Sequence, residues 1–138
     1  MSRKQKMPQK TILIADDDES VRGVVKYFLE AGFSEYTIEE FEDGKNLQNR
    51  LERELVSPTG VKLLITDNDM GEGPTGSEII KKYADKPNIS PIILYYGGVD
   101  NIGESAVQNG AFGYLKKPSK FAQFKLVVGE ALKIEIDN

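Results

Sequence analysis

The chain has 138 residues, of which 39% are hydrophobic and 29% charged, the usage of one globular domain around one core. Its 18 basic and 22 acidic side chains leave a net charge of −4, which argues against a broadly basic nucleic-acid surface. The absence of Cys and His excludes disulfides, thiolate metal sites, Ser-His-Asp catalysis and a histidine phosphocarrier, so any chemistry must run on carboxylates, Lys, Arg and hydroxyls.

Residues 1–10 are polar and are expected to form a tail. The apolar run that follows stops at once in Asp16-Asp17-Asp18-Glu19, too short for a signal peptide. No stretch approaches the ~18 apolar residues of a membrane span, so a cytoplasmic location is expected. Thr11–Ala15 reads as a buried strand. Val21, Val24, Val25, Phe28 and Leu29 share one helical face, and Gly32 is a natural stop. Residues 36–41 read as a strand. Leu47, Leu51 and Leu55 mark a second helix, ended by Ser57-Pro58-Thr59-Gly60. Val61–Thr66 is a third strand and 77–84 a helix. Residues 91–96 form a strand, 100–109 a weak helix closed by Gly110, 113–117 a short strand and 121–134 a last helix, with Phe124, Val127, Val128, Ala131 and Leu132 on one side.

Strict alternation of apolar strands and amphipathic helices predicts an α/β fold with a parallel sheet covered on both faces. Pattern alone leaves both common doubly wound strand orders open. In either, ligands bind beyond the carboxyl ends of the strands.

Those ends are where the chemistry lies. The first strand ends in Asp16-Asp17-Asp18, the third in Asp67-Asn68-Asp69, the fourth in Tyr95-Tyr96-Gly97 and the fifth in Lys116-Lys117-Pro118. If the first and third strands are neighbours, Asp16, Asp17 and Asp67 share one crevice. Two unit charges ~5 Å apart repel by about 3 kcal/mol at an effective dielectric near 20, so three such pairs approach ~10 kcal/mol. Either a carboxyl stays protonated or cations enter. Lys117 supplies one charge, and a divalent ion with oxygen ligands, best Mg²⁺, supplies the rest. Each acid alone has an ordinary explanation: Asp18 or Glu19 suits a helix cap, and Asp67 and Asp69 suit a turn. The combination of all four strand ends is more informative.

The stretches "ILIADDDESVRGVV", "LLITDNDM", "PIILYYGG" and "GAFGYLKKP" together resemble the receiver domain of two-component response regulators, over roughly residues 10–134. The resemblance implies a flavodoxin-like (βα)5 fold with a five-stranded parallel sheet in the order 2-1-3-4-5. It implies Asp67 as phosphoacceptor and Mg²⁺ held by Asp16, Asp17, Asp67 and the backbone carbonyl of Asp69, with Asp17 the more direct of the acid pair. It implies Lys117 beside the phosphoryl group, followed by a cis proline at Pro118, and Tyr114 as the aromatic switch position. The implied donor is a histidine kinase or histidine phosphotransfer protein. The implied downstream surface is the face of the fourth helix, fifth strand and fifth helix, including Ile102, Val107, Tyr114 and Lys116, with no nucleic acid or membrane involved. The expected organisation is a tail over 1–10, a receiver over 11–134 and a short tail over 135–138, with no output domain.

Two features depart from that pattern. Tyr96 stands where the family has the Ser or Thr whose hydroxyl meets the phosphoryl group; its ring is expected to point outward, partly shielding Asp67, and to obstruct the inward position of Tyr114. The loop from Met70 to Gly76 is longer than usual, has Gly71 in place of Pro, and is expected to be mobile. Two rival chemistries are weaker. Gly71, Gly73 and Gly76 fit a dinucleotide fingerprint, but no acid follows about 20 residues on. Asp67-Asn68-Asp69 resembles the D-x-D of haloacid-dehalogenase-type phosphatases, but follows the third strand rather than the first. A binding module that needs no phosphorylation is the third rival, because of Tyr96.

Overall fold

The computed structural model describes residues 10–98 and 101–137, with side chains through Lys133. Among the described residues there are five strands and five helices in alternation: β1 Thr11–Ala15, α1 Glu19–Gly32, β2 Thr37–Phe41, α2 Gly44–Val56, β3 Val61–Thr66, α3 Gly76–Tyr83, β4 Ile92–Tyr96, α4 Ile102–Gln108, β5 Gly113–Lys116 and α5 Phe121–Asp137. All strand pairs are parallel, in the order β2-β1-β3-β4-β5. This is the expected fold class and strand order.

The sheet divides two apolar layers because successive strand side chains point to opposite faces. Leu13, Leu64, Leu94 and Tyr96 pack with Leu47, Leu51, Ile79, Ile80 and Ala106 of α2, α3 and α4. Ile12, Ile14, Leu63, Ile65, Ile93 and Tyr95 pack with Val25, Leu29, Phe124 and Val128 of α1 and α5. β2 departs from the expectation that every strand is apolar. It is an edge strand, half exposed, and its Glu39 and Glu40 pair with Arg50, Arg22 and Lys26. A charged edge of this kind also discourages pairing with another chain.

Helix boundaries follow local chemistry. Asp18 caps α1 by accepting from the Ser20 and Val21 amides, which settles which acid does the capping. Thr75 and Glu78 form a reciprocal capping box at α3. α5 continues to Asp137, three residues past the expected end, since nothing after Gly129 breaks a helix. Of the expected N-terminal tail, residues 1–9 lie outside the described residues, while Lys10 is tied to β2 through the Thr37 amide and sits over the Tyr36 ring. Asp100, expected to start the fourth helix, also lies outside them.

Candidate phosphoacceptor site

Register brings the acids together. Ala15 of β1 lies opposite Thr66 of β3, so Asp16 and Asp67 follow side by side at the carboxyl edge of the sheet. The Asp67 amide donates to the Ala15 carbonyl at 2.8 Å, and the Asp16 amide to Phe41 O at 3.0 Å. One carboxylate oxygen from each of Asp16, Asp17 and Asp67 lies within 4.8 Å of the others. Asp16 and Asp67 are buried, whereas Asp17 and Asp69 are exposed.

Lys117 reaches this nest from the far side of β4. Its own amide donates to Tyr96 O at 2.7 Å, and the Lys117–Pro118 peptide is cis. Its stem passes Gly97, where an added Cβ would lie 3.9 Å away. Its Nζ lies 2.6 Å from Asp16 Oδ2 and 3.2 Å from Asp67 Oδ2. One ammonium thus bridges two carboxylates. The remaining Asp16 oxygen accepts from the Asp18 amide at 2.9 Å, and Asp67 Oδ1 from the Asn68 amide at 2.7 Å.

Burial, and next the charge of Asp16, push the Asp67 carboxyl above its ordinary value; Lys117 and the Asn68 amide pull it partly back. Burial works against the Lys117 ammonium, but its hydrogen bond to Asp16 and the two negative charges outweigh that and hold it above its ordinary value. The nest therefore keeps excess negative character that one lysine does not cancel. Three clustered carboxylate oxygens with no nitrogen or sulfur donor are the ligand set of a hard cation such as Mg²⁺.

Sequence reading missed the side chains that support this edge. Arg22 Nη1 donates to the Asp16 carbonyl at 2.7 Å while Nε pairs with Glu40. The Asn68 side chain accepts from both the amide and the hydroxyl of Ser77 at the start of α3. A Cβ at Gly76 would fall 2.1 Å from the Asp67 carbonyl, so α3 can start this close to Asp67 only with glycine there. The Met70–Gly76 loop, expected to be mobile, makes close backbone contacts with the start of α2. The Lys45 amide donates to Glu72 O at 3.0 Å, and Gly73, at φ +95°, lies so close to α2 that an added Cβ would fall 2.2 Å from Lys45 N. Backbone-to-backbone ties of this kind leave no pattern of side-chain polarity to read.

Tyr96 contradicts its expectation. Its side chain is only 3% exposed and belongs to the apolar cluster beneath α3 and α4, with Met70, Ile80, Leu94 and Ala106. Strand alternation places 92, 94 and 96 on that face, and burying a phenol ring outweighs leaving it over the crevice. The ring does not lie along the surface. Tyr114 is 37% exposed, and the two ring centroids are 6.1 Å apart.

The sequence profile of the response regulator receiver domain matches residues 12–128. The chain belongs to the response regulator receiver family. Its solved relatives share the receiver fold at low identity. A receiver domain protein from Clostridium thermocellum has a TM-score of 0.74 at 21% identity over 91% of this chain and 96% of that one. The receiver domain of a DNA-binding response regulator from Colwellia psychrerythraea reaches 0.76 at 20% over 91% and 99%. The chemotaxis response regulator CheY4 of Vibrio cholerae reaches 0.71 at 21% over 90% and 99%. No curated protein matches the chain in sequence. Receivers are in general phosphoacceptors rather than turnover enzymes. No described helix of this receiver is long and apolar enough to cross a membrane.

Proposed function

We propose that this receiver accepts a phosphoryl group on Asp67 from a histidine kinase or a histidine phosphotransfer protein, in the cytoplasm, and signals by protein–protein contact. The observation that carries the reading is the meeting of Asp16, Asp17 and Asp67 around a single ammonium, Lys117. An Asp67 oxygen attacks phosphorus. The new O–P bond forms as the donor's N–P or O–P bond breaks, and the leaving group keeps the bonding pair. The 138 residues contain no His, so the phosphohistidine lies outside them. Lys117 orients the Asp67 carboxylate and neutralises a phosphoryl oxygen as charge spreads over it. Asp16, Asp17, Asp67 and the Asp69 carbonyl would hold Mg²⁺. When bound, the ion supplies further positive charge to the phosphoryl oxygens.

Acetyl phosphate tests this directly. Intact mass is expected to show one added phosphoryl group per chain in the presence of Mg²⁺, and none for Asp67→Asn. Multiple turnover of a phosphate monoester would instead support the phosphatase reading, and an unmodified wild-type chain would end the proposal.

Burial of Tyr96 favours a second reading. Its ring sits next to the outward Tyr114, and Tyr114 is packed so tightly on α4 that a Cβ at Gly103 would fall 2.5 Å from the ring. In this reading the switch position is already filled, and the α4–β5–α5 face binds its partner whether or not Asp67 is phosphorylated. Val107 and Tyr114 are exposed on that face, with Lys116 beside them. Partner affinity unchanged by Asp67→Asn or by acetyl phosphate supports it; affinity that follows phosphorylation opposes it.

A further inference from the structure

The last two residues of β4 are both tyrosines, and they face opposite layers. Tyr96 belongs to the α3/α4 side. Tyr95 is buried on the α1/α5 side, with its ring edge-on to Phe124 at 6.5 Å. A phenylalanine would keep that ring contact. The phenol does something more: it touches the Lys117 segment at two points. The Lys117 Nζ lies over the Tyr95 ring, 5.8 Å from its centroid, inside cation–π range. The Tyr95 hydroxyl accepts from the amide of Ser119, two residues beyond Lys117, at 3.1 Å.

We infer that Tyr95 is a positioning residue for Lys117. The inference rests on the phosphoacceptor reading for its consequence, though not for its geometry. A lysine ammonium hangs on a flexible four-carbon stem, and here it must meet Asp16 and Asp67 together. The Lys117 amide is fixed to Tyr96 O on one side. Tyr95 fixes the chain on the other side and places an aromatic face beneath the ammonium. The phenol thereby couples the β4 end to the segment between β5 and α5, and holds the ammonium where both carboxylates meet it.

Tyr95→Phe keeps the ring and its volume and removes only the bond to Ser119. Two readouts separate positioning from core filling. The first is acylation of Lys117 by acetic anhydride, measured by peptide mass spectrometry against Lys120 in the same molecule. The second is the rate of Asp67 labelling by acetyl phosphate at saturating Mg²⁺. Tyr95→Phe is expected to raise relative Lys117 acylation and to slow labelling, each by about three- to tenfold, the worth of one hydrogen bond. The Mg²⁺ midpoint is expected to stay put, since Tyr95 touches none of the three acids. In a Lys117→Ala background the substitution is expected to leave the residual labelling rate unchanged. Unaltered acylation and labelling in Tyr95→Phe would reduce Tyr95 to a core residue, and a labelling loss that persists without Lys117 would show that it acts by another route. If wild type takes no phosphoryl group, the phosphoacceptor reading fails while the acylation ratio still decides the positioning. Hydrogen exchange of the Ser119 amide in the wild type needs no variant: protection is expected, and free exchange would overturn the inference.

Discussion

Asp67 sits at a cost to the fold. Its carboxyl is raised by burial and by Asp16, so the ionised form is disfavoured in the native state. A group raised in this way weighs against folding once it ionises, so the penalty grows as pH rises through its range. Asp67→Asn removes the penalty and is expected to raise the melting temperature at pH 7. The advantage is expected to shrink as acid protonates Asp67; a lower melting temperature for the variant at pH 7 would contradict the assignment. Glu54 has the opposite sign. Burial works against its carboxylate, but Arg50 and Thr59 outweigh that and lower it from 4.5 to about 2. Its contribution is complete above the unfolded value and is lost as pH falls from near 4.5 toward 2. Glu54→Gln is expected to destabilise the domain by about 2 kcal/mol at pH 7, because the buried Arg50 keeps only Glu39 as an ionic partner and the Thr59 and Val61 amides lose their carboxylate acceptor. It should also flatten the acid limb of a denaturation profile over that window.

Between elements, the telling contact is that of β4, β5 and α4 through Tyr96, Tyr114 and Gly103. Tyr96→Thr removes a buried ring and is expected to cost about 3 kcal/mol in urea unfolding. It also opens the volume beside Tyr114. Phosphorylated Tyr96→Thr is then expected to show a buried Tyr114 by aromatic NMR, whereas the phosphorylated wild type keeps it exposed. Burial of Tyr114 in the wild type with Tyr96 undisplaced would refute the obstruction. Sequence made much of this level legible. Alternation gave the layers, and the acids at the ends of the first and third strands gave the site once those strands were taken as neighbours. What stayed hidden was orientation. A tyrosine at a strand end reads equally as surface or core, and β4 puts one tyrosine into each layer. The close backbone contacts of the Met70–Gly76 loop were hidden for another reason: glycine-rich composition signals freedom, while here the glycines permit close approach.

For the molecule as a whole, the charge imbalance at the carboxyl edge couples ion binding to stability. An ion that binds only the folded state stabilises it by RT ln(1 + [ion]/Kd), about 1.4 kcal/mol at tenfold over Kd. Mg²⁺ is therefore expected to raise the melting temperature of the wild type, and to do so much less for Asp17→Asn, whose exposed carboxylate is lost without disturbing the Lys117 bridge. Equal shifts in both proteins would place the ion elsewhere. The strand order and the family follow from features spread along the chain, which is why four separated stretches were enough to suggest both. Partner identity has no such distributed signature, because the α4–β5–α5 face is a handful of ordinary surface residues.

The central claim is that the clustered acids and Lys117 make Asp67 the residue that takes phosphorus. Borohydride reduction of the acetyl-phosphate-treated protein converts an aspartyl phosphate to homoserine, and peptide mass spectrometry then locates it. The account predicts homoserine at position 67 alone, formed only with Mg²⁺. Homoserine at another aspartate, or none in the Mg²⁺-treated wild type, would contradict it.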